Sequence, residues 1–441
     1  MIAMPHPVSR RKFLGSTAGA SLALGLPRSS AAEKSSGVTT GAATTSATDW
    51  PVWDNRDETA LSDVLRNGKW GRTVGGSTKV KEFEAAWAQR MKARYCVATS
   101  SGTTALFTAF GALNIGPGDE VILPPYTFVA SFNAITASYA LPVFADTDAT
   151  TFQIDPVKAT AAITASTKAL LPVHIAGSPS DLDALTALAK TRGITLLEDA
   201  CQAPLAEWRG QPVGTAGIGG CFSFQASKNL TAGEGGAILT NDESFANLCF
   251  DFHTPGGAKK SLSSGRGANF RLTEFQAALL LSQLARLEGQ AKLRDANAAY
   301  LSGLLSQIPG ITPAALAVGC TRSAWHLYMF RYDATQFSGL ARTKFLQLLA
   351  KERIAASSGY TSLNTAPHVT ALATNPHYQR LYGKTVMTNW LDRNQCPVND
   401  RLVAEAVWFP QTKLLANRSE MERIASVIAA IQKRSSELVR S

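Results

Sequence analysis

The chain predicts an α/β fold, in which a largely parallel sheet is wrapped by helices on both faces and a smaller α+β portion follows. Three observations carry this reading. From Tyr95 to Phe252, short apolar runs alternate with segments of helical periodicity, the pattern of repeated strand–helix units. Gly193-Ile-Thr-Leu-Leu-Glu-Asp199 is apolar until it ends in two acids, as a strand buried on both faces reads. Around Ile308-Pro-Gly-Ile-Thr-Pro313 the alternation stops.

Composition sets outer bounds. At 441 residues, with 45% hydrophobic and 17% charged side chains, the chain has room for two domains and is neither disordered nor fibrous. The net charge is +10, but residues 1–32 hold Arg10, Arg11, Lys12 and Arg28 and no acid, so the remainder carries only +6. That scattered excess offers no nucleic-acid surface. The six cysteines (Cys96, Cys201, Cys221, Cys249, Cys320 and Cys396) show no C-x-x-C spacing, so neither a metal site nor a disulfide framework is expected.

Ser9-Arg-Arg-Lys-Phe-Leu-Gly15, a short apolar run and Ser30-Ala-Ala32 have the layout of a signal peptide over residues 1–32; the alternative is a basic amphipathic tail. The arginine pair resembles a twin-arginine signal, which implies export, to the periplasm or another extracytoplasmic space. The apolar run is too short and glycine-rich for a membrane anchor. Residues 33–49, rich in Ser, Thr, Ala and Gly, read as a flexible linker.

From Trp50 the elements follow in order. Thr59–Asn67 and Ser77–Met91 are helical, the second with Val80, Phe83, Ala86 and Trp87 on one face. Between them lies a glycine-rich loop whose Trp70 is either a packing anchor or a wall facing substrate. Tyr95–Thr99 is a strand, followed by a helix from Ser101 or Gly102; small residues at a helix start leave backbone N–H groups free to hold a phosphate, although Ser and Thr also cap helices routinely. Glu120–Pro124 is a strand, and Pro125-Tyr-Thr-Phe-Val-Ala-Ser131 opens the next helix. Phe128 is either a core residue or a ring positioned to stack on a flat ligand. Strands at Pro142–Asp146, Ala169–His174 and Gly193–Asp199 alternate with helices at Asp155–Ile163 and Asp181–Lys190. Two further apolar runs, Cys221–Phe224 and Ala237–Thr240, enclose a loop with Lys228, Gly233, Gly235 and Gly236. Helices follow at Glu243–Phe252 and Thr273–Asn297. After the break come a strand near His326–Tyr332, a helix at Thr343–Glu352, an irregular stretch through about 376 and a terminal helix at Ser419–Lys433.

The chemistry centres on Asp199 and Lys228. A lone lysine in a turn is ordinarily a solvated charge, but lysine is also the side chain whose pKa falls on burial so that it can form a Schiff base. Asp199 ends a strand, where ligands of open α/β sheets sit. A carboxylate there and a lysine after the next strand are the two groups that pyridoxal 5'-phosphate requires, one for its ring nitrogen and one for its aldehyde.

These pieces resemble the DegT/DnrJ/EryC/StrS sugar aminotransferases. The matching segments are Ser101-Gly-Thr-Thr-Ala-Leu106, Pro125-Tyr-Thr-Phe-Val-Ala130, Glu198-Asp-Ala-Cys-Gln-Ala203, Ser223-Phe-Gln-Ala-Ser-Lys-Asn229, Gly233-Glu-Gly-Gly236 and the run from Gly267 to Ala278, in the family's order over about 50–435. The resemblance implies the type I fold of pyridoxal-phosphate enzymes, with a large cofactor-binding domain at 50–310 and a small C-terminal domain at 311–441. It implies Lys228 as the Schiff-base lysine, Asp199 on the ring nitrogen, Gln202 on the ring's hydroxyl side and Phe128 stacked on the ring. Ser101, Gly102, Thr103 and Ser223 fall at the phosphate, and Asn269 reaches the phosphate of a neighbouring subunit in a homodimer with shared active sites. Family members with histidine in place of this lysine dehydrate sugars, so lysine implies transamination. The segment Cys396–Leu415 is nearer the branch acting on free cyclitols and making aminohydroxybenzoate.

The expected function is therefore transfer of an amino group from glutamate or glutamine to a keto-sugar or keto-cyclitol. A non-catalytic sensor of a ligand or of the cofactor is the competing class; it would show at most one turnover. Export departs from the family's usual cytoplasmic setting and points away from nucleotide-linked acceptors. The mature chain should begin near Glu33, and replacing Arg10 and Arg11 by lysine should retain it in the cytoplasm. Cell fractionation showing full-length active protein inside wild-type cells would refute the signal.

Overall fold

The computed structural model describes residues 50–254 and 266–440. The expected signal peptide (1–32) and linker (33–49) lie outside them. Two helices come first, α1 (Asn55–Asn67) and α2 (Lys79–Arg90). Helix α1 is capped by Asp54 and ends at Gly68, whose φ of 68° is the left-handed conformation that glycine adopts without strain. The main layers are then laid down by β1 (Tyr95–Thr99), α3 (Gly102–Ala112), β2 (Glu120–Leu123), α4 (Ala130–Ala137), β3 (Leu141–Phe144), α5 (Pro156–Ala162), β4 (Thr167–Leu170), α6 (Leu182–Arg192) and β5 (Thr195–Asp199). The expected helix start at Pro125 is displaced to Ala130, and residues 125–129 form an irregular turn beyond β2.

A small excursion, β6 (Glu207–Trp208) and β7 (Gln211–Pro212), precedes β8 (Gly219–Ser223) and β9 (Gly236–Thr240). The seven-stranded sheet has the order β1-β9-β8-β5-β4-β2-β3. It is parallel except for β9, which runs antiparallel to both neighbours. The connection from β8 to β9, residues 224–235, contains no crossover helix and folds straight back, so β9 returns beside β8 in the antiparallel sense.

After α7 (Glu243–His253), α8 (Glu274–Leu305) is the longest helix among the described residues. It exceeds the expected end at Asn297 because Ala298, Leu301 and Leu305 carry its apolar face into a second core. That core belongs to a separate antiparallel sheet formed by β10 (Ile311–Pro313), β12 (Leu327–Tyr332) and β13 (Ala406–Pro410), while β11 (Cys320–Arg322) joins β6 and β7. Helices α9 (Arg342–Lys351) and α14 (Arg418–Lys433) pack on this second core. A short last helix, Ser435–Arg440, follows.

The segment between them was expected to be irregular through about 376, with no further helix before 419. It contains four helices: α10 (Pro367–Thr370), α11 (Pro376–Tyr382), α12 (Lys384–Arg393) and α13 (Pro397–Glu405). Their periodicity is too short to register in sequence, and their stability comes from burial against the large sheet. Tyr378, Met387, Trp390 and Cys396 join the core around β2 and β3. Trp390 Nε1 donates to Pro142 O at 2.6 Å, so this segment covers the edge strand β3, whose backbone would otherwise be open to a foreign strand.

Glu274 ties α8 to α2. Thr78, at the start of α2, makes no side-chain cap; instead buried Glu274 accepts from the backbone N–H groups of Thr78, Lys79 and Val80 at 2.9, 2.7 and 3.1 Å. A carboxylate at a helix N-terminus is favoured by both hydrogen bonding and the helix dipole. Glu274→Gln should cost about 1–2 kcal/mol. Urea denaturation should show a lower midpoint at unchanged slope, and an unmoved midpoint would mean that the cap adds no stability.

Candidate active site

The carboxyl ends of β5 and β8 open into a cavity of about 680 Å³. Asp199 and Glu198 are consecutive in β5 and therefore point to opposite faces. Asp199 faces the cavity, 3% exposed; its Oδ2 accepts from Ser131 Oγ at 2.7 Å and its Oδ1 from Cys201 N at 3.1 Å. Ser131 is in turn held by Thr127 Oγ1 at 3.1 Å. Glu198 faces away and is wholly buried with His174. His174 Nδ1 accepts from Ser180 N at 3.1 Å, so Nε2 carries the proton and donates to Glu198 at 2.9 Å. Glu198 also accepts from Gly214 N and Ala216 N, both at 2.7 Å, which completes its hydrogen bonding without access to the cavity. The two acids thus divide into one at the site and one beneath it.

Lys228 lines the same cavity. Its loop is closed at the base, because Phe224 N donates to Gly235 O at 2.8 Å and Ala232 N to Phe224 O at 3.0 Å. Gly233, with φ of 80°, makes the turn that permits this closure. Desolvation lowers the Lys228 pKa from its ordinary value, partly offset by the attraction of Cys201 and Asp199. Asn229 anchors the loop from the other side: its Nδ2 donates to Ala324 O at 2.6 Å, and its Oδ1 accepts from His326 Nδ1 at 3.2 Å. Burial first, and then Lys228 and Arg294, hold His326 well below its ordinary pKa. The imidazole is neutral where it lines the cavity.

The start of α3 forms the third side. Ser101 caps the helix through Thr104 N at 3.1 Å, with Thr104 returning the bond to Ser101 N. The N–H groups of Gly102 and Thr103, the first two helical positions, have no intrahelical partner. Gly102 is required by close approach, since a Cβ there would lie 2.7 Å from Ser223 Cβ and 2.8 Å from Cys201 Sγ. Gly236 is required likewise, because its Cβ would meet Ser101 O at 2.3 Å. Thr103, Ser223 and Phe128 line the cavity, and Phe128 is 56% exposed.

Eight of the nine expected residues therefore share one cavity. Gln202 is among them, but both ends of its amide are engaged, accepting from Ala176 N at 2.8 Å and donating to Tyr360 Oη at 3.0 Å. The exception is Asn269, which is exposed and does not line this chain's own cavity. Trp70 stays outside as well, with its ring 5.6 Å from that of Phe275. Sequence reading missed Trp50, Ser131, His326, Tyr360, Trp408 and Gln411. Of these, Ser131 was within reach, since it ends the segment containing Phe128. Burial pushes the Tyr360 phenol up to about 12, so it stays a neutral donor and acceptor.

Free backbone N–H groups at a helix start, a buried carboxylate, a desolvated lysine and an aromatic face surround one space. These residues fit pyridoxal phosphate: Ser101, Gly102, Thr103 and Ser223 would hold the phosphate, Asp199 the ring nitrogen and Lys228 the aldehyde.

The model of the DegT/DnrJ/EryC1/StrS aminotransferase family matches residues 51–432. The chain belongs to this family. It is an aminotransferase, and its fold is that of the type I pyridoxal-phosphate transferases. Among curated relatives, L-glutamine:2-deoxy-scyllo-inosose aminotransferase of Streptomyces kanamyceticus is 35% identical, covering 87% of this chain and 93% of the relative. The 3-amino-5-hydroxybenzoate synthase of Amycolatopsis mediterranei is 33% identical, covering 86% and 96%. A crystal structure of 3-amino-5-hydroxybenzoic acid synthase superposes with a TM-score of 0.77 at 32% identity, covering 88% of this chain and 99% of that one.

The Gly102 contacts give a direct test of the cradle. Gly102→Ala should displace Ser223 or Cys201 and weaken pyridoxal phosphate binding at least about tenfold, or ~1.4 kcal/mol. Spectrophotometric titration of apo-protein measures this, and unchanged affinity would place the phosphate elsewhere.

Proposed function

We propose that this aminotransferase moves an amino group from L-glutamine or L-glutamate to a free keto-cyclitol or keto-sugar. The observation that carries the reading is the meeting of Asp199 and Lys228 in one cavity, and the relatives' activity on inososes supports the acceptor class. Pyridoxal phosphate, when bound, supplies the aldehyde that receives the amino group and a ring that draws off electrons. Asp199, fixed by Ser131 and the Cys201 amide, holds a proton at the ring nitrogen. Lys228, its pKa depressed by desolvation, is an amine able to accept a proton from the donor's α-carbon and return it elsewhere. Phe128 and Trp408 supply apolar walls that limit water. The proposed setting is outside the cytoplasm, supported by the Arg10-Arg11 signal pattern, and a free acceptor suits that setting better than a nucleotide-linked one.

The proposed assembly is a homodimer in which Asn269 completes the partner's site. Its exposure and its place outside this chain's own cavity favour that arrangement. Lys228→Ala should abolish both turnover and the borohydride-trapped covalent attachment of cofactor; an adduct that persists would assign another lysine. The same inactive variant tests assembly when refolded with an Asn269→Asp variant that is itself nearly inactive. Mixed dimers then contain one site free of both lesions, and activity should return. No recovery in confirmed dimers would remove Asn269 from the partner's site.

A further inference from the structure

Behind one wall of the cavity lies a charge that no direct ion pair among the described residues meets; Asp295 attracts it only at longer range. Arg294, in α8, is fully buried, and no carboxylate among the described residues pairs with it. Its Nε and Nη2 both donate to Oε1 of Gln411, the first at 3.0 Å, while Nη1 has no partner among the described residues. The Trp50 ring covers the guanidinium at 5.6 Å, and burial brings its pKa down to about 9.

That double donation decides which way round the Gln411 amide sits. A guanidinium has only donors, so the amide oxygen must face it and the NH₂ is left on the other side. Gln411 lines the cavity, is 2% exposed, and its Nε2 has no hydrogen-bond partner among the described residues. A buried N–H without an acceptor costs on the order of 1–3 kcal/mol. A buried guanidinium without a counter-charge costs more. Both unused donors belong to one hydrogen-bonded unit of net positive charge. A neutral hydroxyl would satisfy the amide and leave the charge; an anion accepts from the amide and also lies in the field of the guanidinium behind it. His326, which lines the same cavity, is held below its ordinary pKa first by burial and then by the positive charges of Lys228 and Arg294.

We propose that Gln411 recognises the carboxylate of the amino donor, its Nε2 donating to a carboxylate oxygen, while Arg294 acts behind it as the positioning residue that orients the amide and favours an anion. This rests on the transaminase reading above and adds how that site holds its first substrate.

Gln411→Glu keeps an acceptor for Arg294 but replaces the NH₂ by oxygen, and Gln411→Leu removes the donor without adding charge. Half-reactions followed separately should show the half-saturating concentration of L-glutamine or L-glutamate rising at least about tenfold in Gln411→Glu, equivalent to ~1.4 kcal/mol. The keto-acceptor half-reaction should stay within about twofold, well under that amount. Arg294→Lys should retain more donor affinity than Arg294→Met. Calorimetric titration of L-glutamate into Lys228→Ala protein, with and without Gln411→Glu, should show the same loss independently of turnover. On wild-type enzyme, the α-amide of L-glutamine should bind at least tenfold more weakly than L-glutamine, a measurement that no misfolded variant can obscure. Unmoved donor binding in both Gln411 variants, a rise confined to the acceptor, or an α-amide as good as the acid would overturn the proposal. An enzyme inert to every donor would instead overturn the transaminase reading, and calorimetry would then decide the role of Gln411.

Discussion

A carboxylate kept out of water at the end of a central strand is the constraint around which this structure is arranged. Asp199 is almost fully buried, and its two protein partners are a hydroxyl and a backbone N–H. Such a group is costly unless a cation meets it. The remaining features of the site place donors and positive charge around it. Ser131 comes from α4, the Cys201 amide from the turn after β5, and Lys228 from the loop after β8. Each sits at the same edge of the sheet because parallel strands present all their carboxyl ends to one side.

Support beneath the site is as specific as the site itself. Glu198 and His174 form a pair with no exposed side-chain surface, and the Gly214 and Ala216 amides complete the carboxylate's bonding. This holds the end of β5 in register, and with it the direction of Asp199. Close backbone approach does the same for the helix start: Gly102 and Gly236 leave no room for a methyl group, so α3 is brought directly against Ser223 and the entry to β9.

The sheet of β10, β12 and β13 and its flanking segments contribute another wall of the cavity. Tyr360 holds the Gln202 amide and meets Trp408 edge-on at 4.6 Å, while Asn229 couples the lysine loop to His326. Asp199 and Lys228 therefore come from the large sheet, and His326, Tyr360, Trp408 and Gln411 from elements after Pro313.

Sequence by itself determined the alternation of strands and helices, the acid at the end of β5, the lysine between two strands and the small residues at a helix start, because each depends on neighbours within a few positions. The α-helical period of 273–297 and the apolar runs of the central strands are legible for the same reason. Only tertiary structure decided the antiparallel direction of β9, the four helices between Pro367 and Glu405, and the split of Glu198 from Asp199 into support and site. It alone brought Trp50, Arg294 and Gln411 together. Those residues are separated by more than a hundred positions from one another, and their meeting arises from helix α8 crossing between two cores, a long-range packing event that leaves no periodic signature in the chain.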